Sequence, residues 1–564
     1  MLFNPKEHNF KYRDETTQQL MQKVINFFED KGLHSLKKDW HDKVWNHEFA
    51  EFMKENNVLA TLMTPSGYGD SDARWDTYRN TKFAEIVAYY GITYWYTFQV
   101  SMLGLGPIWL GCNEPLKHKT AELLKEGKVF GFGLSEREHG ADIYSSEMKL
   151  DPLSDGNYHG NGSKYYIGNG NEAALISTFA KRSDNDDYVF FTVDSRHPNY
   201  ECVKNTVNEQ IHVSEYNLHN YPITDADITE QGPKAWDDML NTINVCKFNL
   251  GFGSIGLCEH AFYEAINHAA NRYVYSKYVT DFPHVKRLFV DGYARLCAMK
   301  LFAERATDYM RAASEDDRRY LLFNPMVKMK VTSQGEDVIN HLWDVIAAKG
   351  FEKEPFFEVA AHEIRMLPKL EGTVHVNMAL IIKFMQNYLF NPKTLPDIGR
   401  RDEPVNDDFL FNQGPTKGLG RIQFHDYQQT YNKFDLPNVN IFQGQIEAFK
   451  NFLIKATPTA EQSKDIDYLL AVGECFTLIV YGHLILENAE IEQVDNALIE
   501  EIFDVLVRDM SHYAVNIMTK PSNSDEQSEK AKAIIQRPIA NQQRFEKLWQ
   551  EHVYSLKDAY KLKD

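Results

Sequence analysis

A chain of 564 residues is long enough for roughly three to four domains of ordinary size. At 43% hydrophobic and 25% charged, it has the composition of a soluble globular protein able to bury a large core. The formal charge of −19, from 80 acidic against 61 basic residues, opposes nonspecific binding to nucleic acid or to an anionic membrane, and still allows a local basic pocket for a phosphorylated ligand.

The first residues, Met1-Leu2-Phe3-Asn4-Pro5-Lys6-Glu7, hold no apolar core and an early acid, so no signal or transit peptide is expected. From about residue 15 to 125 the pattern is helical: Leu20, Val24, Ile25 and Phe28 recur at helical spacing, and Phe49 to Met53 repeats it. Pro65-Ser66-Gly67-Tyr68-Gly69 reads as a loop, and Leu116 to Lys128 as a short helix that closes a helical domain over 1–128. Gly, Asn, Asp and aromatic residues then become frequent. Lys164 to Ile167, Leu175 to Phe179 and Tyr188 to Val193 read as strands, which defines an inserted β domain over 129–243.

Helical spacing returns near Leu250 and runs through Ala261 to Arg272, Phe289 to Ala313 and Val327 to Ala348, so 244–392 reads as a helical domain. A polar, Pro- and Gly-rich connector over 393–420 leads to a helical extension over 421–564. Tyr468 to Leu486 approaches membrane-spanning length, but Glu474 and His483 lie inside it, so a buried core helix is expected and no membrane span. The six cysteines are scattered without a Cys-x-x-Cys pair, as expected of reduced thiols in a cytoplasmic protein. The terminal Lys561-Leu562-Lys563-Asp564 is not a peroxisomal Ser-Lys-Leu signal.

One short turn carries the chemistry. The stretch from Gly350 to Asn377 closes on Leu370-Glu371-Gly372-Thr373. A carboxylate beside a glycine can approach a substrate closely, and in a dry pocket its pKa rises and it becomes a stronger base.

Upstream motifs give that turn its context. Leu134-Ser135-Glu136-Arg137-Glu138-His139-Gly140-Ala141-Asp142 resembles the Thr-Glu-Pro-Gly-Ala-Gly-Ser-Asp loop of the acyl-CoA dehydrogenase and acyl-CoA oxidase flavoenzymes. Lys164-Tyr165-Tyr166-Ile167-Gly168-Asn169-Gly170 resembles their Lys-Trp-Trp-Ile-Thr-Asn-Gly strand, Arg272-Tyr273-Val274-Tyr275 their Arg-x-x-Phe-Gly, and Gly350 to Thr373 their closing segment. The four fall in the family's order across roughly residues 40 to 390.

The resemblance implies an α+β, mainly α fold: an N-terminal helical domain, a β-barrel-like domain, a four-helix bundle and, here, an additional C-terminal helical region. It implies FAD held by Leu134, Ser135, His139, Gly140, Ala141, Tyr166, Ile167, Gly168, Arg272, Tyr275, Gly350, Thr373 and His375. It also implies an acyl-CoA substrate touching Lys247 and Gly372, with Glu371 as the base that removes the α-proton. In the family the arginine matched by Arg272 reaches the flavin of a neighbouring subunit, so a homodimer or homotetramer is expected. Physically, small hydroxyls suit a flavin, an aromatic wall such as Tyr166 can pack on its ring, and an arginine can bind its pyrophosphate bidentately.

The sequence also departs from the pattern. Arg137 and Glu138 replace Pro-Gly, Ala141 a phosphate-contacting serine, Gly168 a threonine near the reactive edge, and Ala347-Ala348 two glycines. Some relatives carry the base ahead of the helix that here follows Gly253, but Val245-Cys246-Lys247-Phe248-Asn249 holds no carboxylate. His139-Gly140 and Gly168 lean towards oxidases, which pass electrons to oxygen. Glu-Gly-Thr leans towards dehydrogenases, which use an electron-transfer flavoprotein. A carrier-protein thioester and a flavin-fold scaffold without catalysis stay open as alternatives. Gly251-Phe252-Gly253-Ser254-Ile255-Gly256 spells a dinucleotide-binding fingerprint, but a long amphipathic helix follows it with no second strand ending in an acid, so helix packing is expected there. His341, His362 and His375 lack metal-ligand spacing, and no hydrolase nucleophile elbow occurs.

Overall fold

The computed structural model describes residues 1–7 and 12–564. These form two compact units, one covering the described part of 10–249 with 402–417 and 562–564, the other 1–7, 250–401 and 418–561.

The first unit opens with helices α1 (Glu15–Asp42), α2 (His47–Glu55), α3 (Val58–Met63), α4 (Thr77–Tyr90), α5 (Ile92–Leu110) and α6 (Glu114–Lys125). Asp14 caps α1 by accepting the Thr17 N–H at 2.8 Å. Every residue of α5 is buried, which explains its apolar character on all sides. Eight strands follow: β1 (Phe130–Gly133), β2 (Lys149–Pro152), β3 (Tyr158–Gly168), β4 (Leu175–Arg182), β5 (Tyr188–Val193), β6 (Tyr200–Asn205), β7 (Val213–Ile223) and β8 (Ile228–Gln231). They pair in the order β6-β7-β3-β2-β4-β5-β8, with β1 parallel to β4. Leu150, Ile176, Phe191, Val193, Tyr216 and Leu218 belong to their buried core. Asn169, just past β3, ties that strand to α5 and β1 by donating to the carbonyls of Thr97 (3.1 Å) and Phe130 (3.0 Å).

The stretch read as a β domain, 129–243, closes on a helix. Residues 233–243 lie in helix α7 (Pro233–Cys246). Pro233 sits in its first turn, and Ala235, Met239, Thr242 and Cys246 bury one face at helical spacing. Asp238 and Asn241 are buried on the same helix, so its composition resembles that of the strand region before it. Part of the polar connector is structural as well. Asp407 accepts the Thr77 N–H at 2.6 Å, and Trp75 and Phe411 meet edge-on at 4.8 Å.

The second unit starts along α8 (Asn249–Asn271) and continues through a two-strand hairpin, β9 (Tyr273–Val274) and β10 (Lys277–Tyr278). Next come α9 (Pro283–Arg311), α10 (Tyr320–Met326), a π-helical turn Val327–Val331, α11 (Thr332–Ile346), α12 (Phe357–Glu363), α13 (Val374–Ile381) and α14 (Met385–Phe390). The extension supplies α15 (Tyr427–Tyr431), α16 (Pro437–Lys455), α17 (Ile466–Glu492), α18 (Asn496–Met518), α19 (Asp525–Lys532) and α20 (Gln542–Leu548).

Helix α9 is central, packed by α11, α17 and α18, so bundle and extension share one core. Two bidentate pairs lock them, Arg295 to Asp509 at 2.7 and 2.8 Å and Arg508 to Asp291 at 3.0 Å twice. The long apolar α17 is mostly buried in this core. Burial pushes its Glu474 carboxyl up, and Lys330 and Tyr513 partly offset that.

The glycine fingerprint lies within α8 and follows helix α7 directly. A side chain at Gly251 would come within 2.5 Å of Val327 Cγ1, so small residues here serve helix packing.

Ala347 occupies φ 56°, ψ −135°, a region that glycine fills freely and alanine does not. Strain of about 1–3 kcal/mol, less the extra chain entropy of glycine, about 0.5–1 kcal/mol, leaves an expected gain of about 1 kcal/mol for Ala347→Gly. Urea denaturation should show the midpoint rising with an unchanged slope.

Candidate active site

In the first unit, two of the sequence motifs are physically joined. The Glu136 carboxylate meets the Lys164 ammonium at 2.8 Å, with Lys164 fully buried and Glu136 nearly so. Lys164 also donates to the Leu134 carbonyl at 2.9 Å. Glu136 further accepts the Ser146 hydroxyl (2.7 Å) and the backbone N–H groups of Glu147 (2.7 Å) and Met148 (3.1 Å). Burial pushes the Lys164 ammonium down to about 8, against the pull of Glu136. Burial would raise Glu136, but Lys164 and these donors together hold it below its usual range. At neutral pH the pair is therefore ionic, and it fastens both ends of the 134–148 loop to β3.

The β3 strand leaves its partner β7 at a bulge between Lys164 and Ile167. There Ser135 takes over the pairing. Its carbonyl accepts the Tyr165 N–H at 2.9 Å and its hydroxyl donates to the Tyr165 carbonyl at 2.6 Å. The bulge holds Tyr166 at φ 63° and leaves it 61% exposed, while Ile167 is buried. At Gly168 an added Cβ would fall 2.6 Å from Val100 and 2.8 Å from Tyr96, so α5 fills the room that a threonine would need. Leu134, Ser135 and His139 are half-buried, and Gly140 and Ala141 are exposed. Arg137 pairs with Glu215 at 2.5 Å and stacks 4.6 Å over the Tyr165 ring, and His139 lies 3.4 Å from Glu147. Lys247 is buried just past the end of α7.

In the second unit, Glu371 is half-buried on a left-handed residue, φ 50°, followed by Gly372 at φ 90°. Lys328, fully buried in the π-helical turn, donates to the carbonyls of Pro368 (2.7 Å) and Gly372. Asn377 donates to the carbonyls of Gly372 and Thr373, both at 3.0 Å. Thr373 and His375 are exposed at the start of α13. Gly350 is buried, and a Cβ there would lie 2.8 Å from the Trp343 indole nitrogen and 3.2 Å from Phe357. Arg272 is exposed beyond the end of α8. Tyr275 and Ser276, at φ 52° and 63°, form the hairpin turn that leaves Tyr275 90% exposed. A carboxylate further along α8, Glu259, is committed to the core by Lys300 (2.9 Å) and the Phe3 N–H (3.0 Å).

The structure also brings together His425, His483 and Glu487, which sequence reading missed. Both Nε2 atoms approach Glu487 Oε1, at 2.8 and 3.0 Å, and each other at 3.2 Å. Arg319 lies 2.9 Å from His425 Nδ1 and can only donate, so that nitrogen accepts and Nε2 carries the hydrogen. In that arrangement the three side chains form a hydrogen-bonded core, completed by Arg305 and Tyr309 on Glu487 Oε2 (2.7 and 2.9 Å). The His483-x-x-x-Glu487 spacing was its one legible sign.

Comparison with known proteins places the chain. Residues 234–386 match the family described as acyl-CoA dehydrogenase, C-terminal domain. The short-chain specific acyl-CoA dehydrogenase of Megasphaera elsdenii is 21% identical over 64% of this chain and 95% of its own length. The 3-(aryl)acrylate reductase of Clostridium sporogenes is 22% identical over 59% of this chain and 90% of its own. In fold, an acyl-CoA dehydrogenase from Bacillus anthracis, solved in complex with FAD, superposes with a TM-score of 0.72 at 16% identity and covers 98% of this chain and 97% of its own. The butyryl-CoA dehydrogenase of Megasphaera elsdenii superposes at 0.59 and 19% identity, covering 66% of this chain and 98% of its own, so about a third of this chain lies outside that match. Helices, a strand domain and a helical bundle in this order are the fold that the chain shares with these solved structures. The match to that family's C-terminal domain spans 234–386, and the helical extension is built into the bundle beside it.

Proposed function

We propose that the protein is an FAD-dependent oxidoreductase that converts an acyl-CoA thioester to its trans-2-enoyl thioester, with Glu371 as the base. The observation that carries this reading is the Glu371 turn: a carboxylate on a left-handed residue, flanked by carbonyls that a buried ammonium holds. FAD, when bound, supplies the acceptor for the β-hydrogen and its electron pair.

The chain's own residues do the rest. Glu371 takes the proton from Cα, leaving its electron pair to form the new double bond. Gly372 beside Glu371 adds no side chain, which lets the thioester come close. The bulge at Tyr166, with Ser135 and Leu134 across from it, offers a half-exposed surface of backbone and aromatic face suited to a flavin ring. The phosphate end is less orthodox. Arg137 is shared between Glu215, which it contacts directly, and the charge of Glu138 beside it in the loop, so it is not free for a phosphate. The exposure of Arg272 and Tyr275 supports a homo-oligomer in which phosphate charge is met by a partner copy.

The test is colour. Purified protein should carry or take up FAD, and an acyl-CoA panel should bleach it anaerobically. A colourless protein that cannot be reconstituted with FAD overturns the reading. Repeating the assay in air separates the two acceptors: peroxide in step with turnover marks oxygen, and its absence marks an electron-transfer flavoprotein.

A further inference from the structure

We propose that Lys328 is a positioning residue for Glu371: its buried ammonium holds the backbone turn that presents the carboxylate. The inference rests on the reading of Glu371 as the base. Lys328 is fully buried. An ammonium withdrawn from water is tolerated only where its hydrogens are placed on strong acceptors. Two of them go to the carbonyls of Pro368 and Gly372, on either side of Lys369-Leu370-Glu371. One charged group thus closes the loop that carries the base.

That loop needs closing. A non-glycine residue in the left-handed region costs about 1–2 kcal/mol, and Glu371 is followed at once by Gly372 at φ 90°. Left alone, such a pair relaxes to other backbone states, and the carboxylate moves with it. Charge-assisted bonds to both flanking carbonyls oppose the relaxation more strongly than neutral bonds would. Asn377 adds a second hold on the Gly372 and Thr373 carbonyls at 3.0 Å each.

The mount of Lys328 is itself rigid. It stands in the π-helical turn Val327–Val331, an irregularity that re-aims side chains within a helix. The Thr332 hydroxyl donates to the Lys328 carbonyl at 2.5 Å. Lys330, two residues on, reaches the extension instead, 3.4 Å from the Tyr513 hydroxyl and 5.4 Å over its ring. The same short turn therefore grips the base on one side and is gripped by the extension on the other, which gives α17 and α18 a part in the site.

The experiment uses Lys328→Met, close in shape but without donors, in the FAD-loaded protein. We expect kcat to fall about 10²-fold, the size of effect a base displaced by about 1 Å produces, with KM within about threefold and flavin content unchanged. A readout independent of turnover is amide hydrogen exchange, which should accelerate over residues 366–378 and stay as in the parent elsewhere. A folded, flavin-loaded Lys328→Met with parental kcat and parental exchange overturns the proposal. If Lys328→Met does not fold, Asn377→Ala decides. A several-fold loss of kcat at constant KM, with faster exchange of the same segment, supports the clamp; parental values for both overturn it. Glu371→Gln is the control that separates the two claims. Full turnover in Glu371→Gln removes the base itself, whereas an inactive Glu371→Gln beside a fully active Lys328→Met removes only Lys328.

Discussion

Glu371→Gln should leave a folded, yellow protein that binds acyl-CoA and barely turns it over. Glutamine keeps the volume and the hydrogen-bonding oxygen but cannot accept a proton at neutral pH. A positioned general base contributes about 10²–10⁴-fold, so anaerobic bleaching should slow by about 10³-fold, equivalent to about 4 kcal/mol of barrier. The turn should survive the change, because its geometry is held by Lys328 and Asn377 through backbone carbonyls. Stopped-flow reduction with a matched acyl-CoA measures the rate, and the flavin absorbance before mixing reports whether the site is intact. Undiminished reduction would end the role of Glu371. No replacement stands in the stretch that some relatives use, since Cys246 and Lys247 are buried there and Glu259 is held by Lys300.

How much of this was readable in the chain depended on whether the information was local. The helices over 15–125 and 250–350 followed from apolar spacing, and strands such as 188–193 from their β-branched and aromatic runs, because both signals repeat within a few residues. Helix α7 at the end of the 129–243 stretch was not legible as one, because Asp237, Asp238 and Asn241 have turn-like composition yet lie on a helix that Pro233 starts. Partnerships between distant residues were not legible. Glu136 and Lys164 both lay inside recognised motifs, but nothing in either motif says that one carboxylate and one ammonium are buried together. Lys328 lies far upstream of the turn it holds, in an unremarkable Val-Lys-Met-Lys run. The charge inside α17 was legible as an argument against a membrane span. Its partner Lys330 became visible only when the π-helical turn was seen to face the extension. Gly168 was legible as a departure, and the packing of Tyr96 and Val100 supplies its cause.

The other large effect concerns the loop that faces the flavin in our reading. Lys164→Met should destabilise the first unit by about 3–5 kcal/mol, the usual cost of stranding one member of a buried ion pair. Glu136 would keep its bonds from Ser146, Glu147 and Met148 but lose the positive charge that Lys164 places on it. The Leu134 carbonyl would lose its ammonium donor as well. Because Ser135 and Tyr165 pair across the same junction, the loop should loosen as a whole, and FAD affinity should fall together with melting temperature. Glu136→Gln should cost less, since Lys164 already sits near 8 and can shed its proton to remain buried as an amine. In the double variant the two losses should add to less than their sum. The pH dependence follows from linkage. The folded-state pKa of Lys164 lies below its unfolded value of 10.5, so the unfolded chain binds the extra proton between about 8 and 10.5, and this residue adds stability as pH rises through that window. The depressed Glu136 acts at the other end. Its contribution is present above the unfolded value of 4.5 and is lost as pH falls towards its folded-state pKa. Denaturation measured across pH should therefore lose its alkaline slope in Lys164→Met and part of its acid slope in Glu136→Gln. A Lys164→Met protein with parental melting temperature and parental FAD affinity would show that the loop is held by something other than this pair.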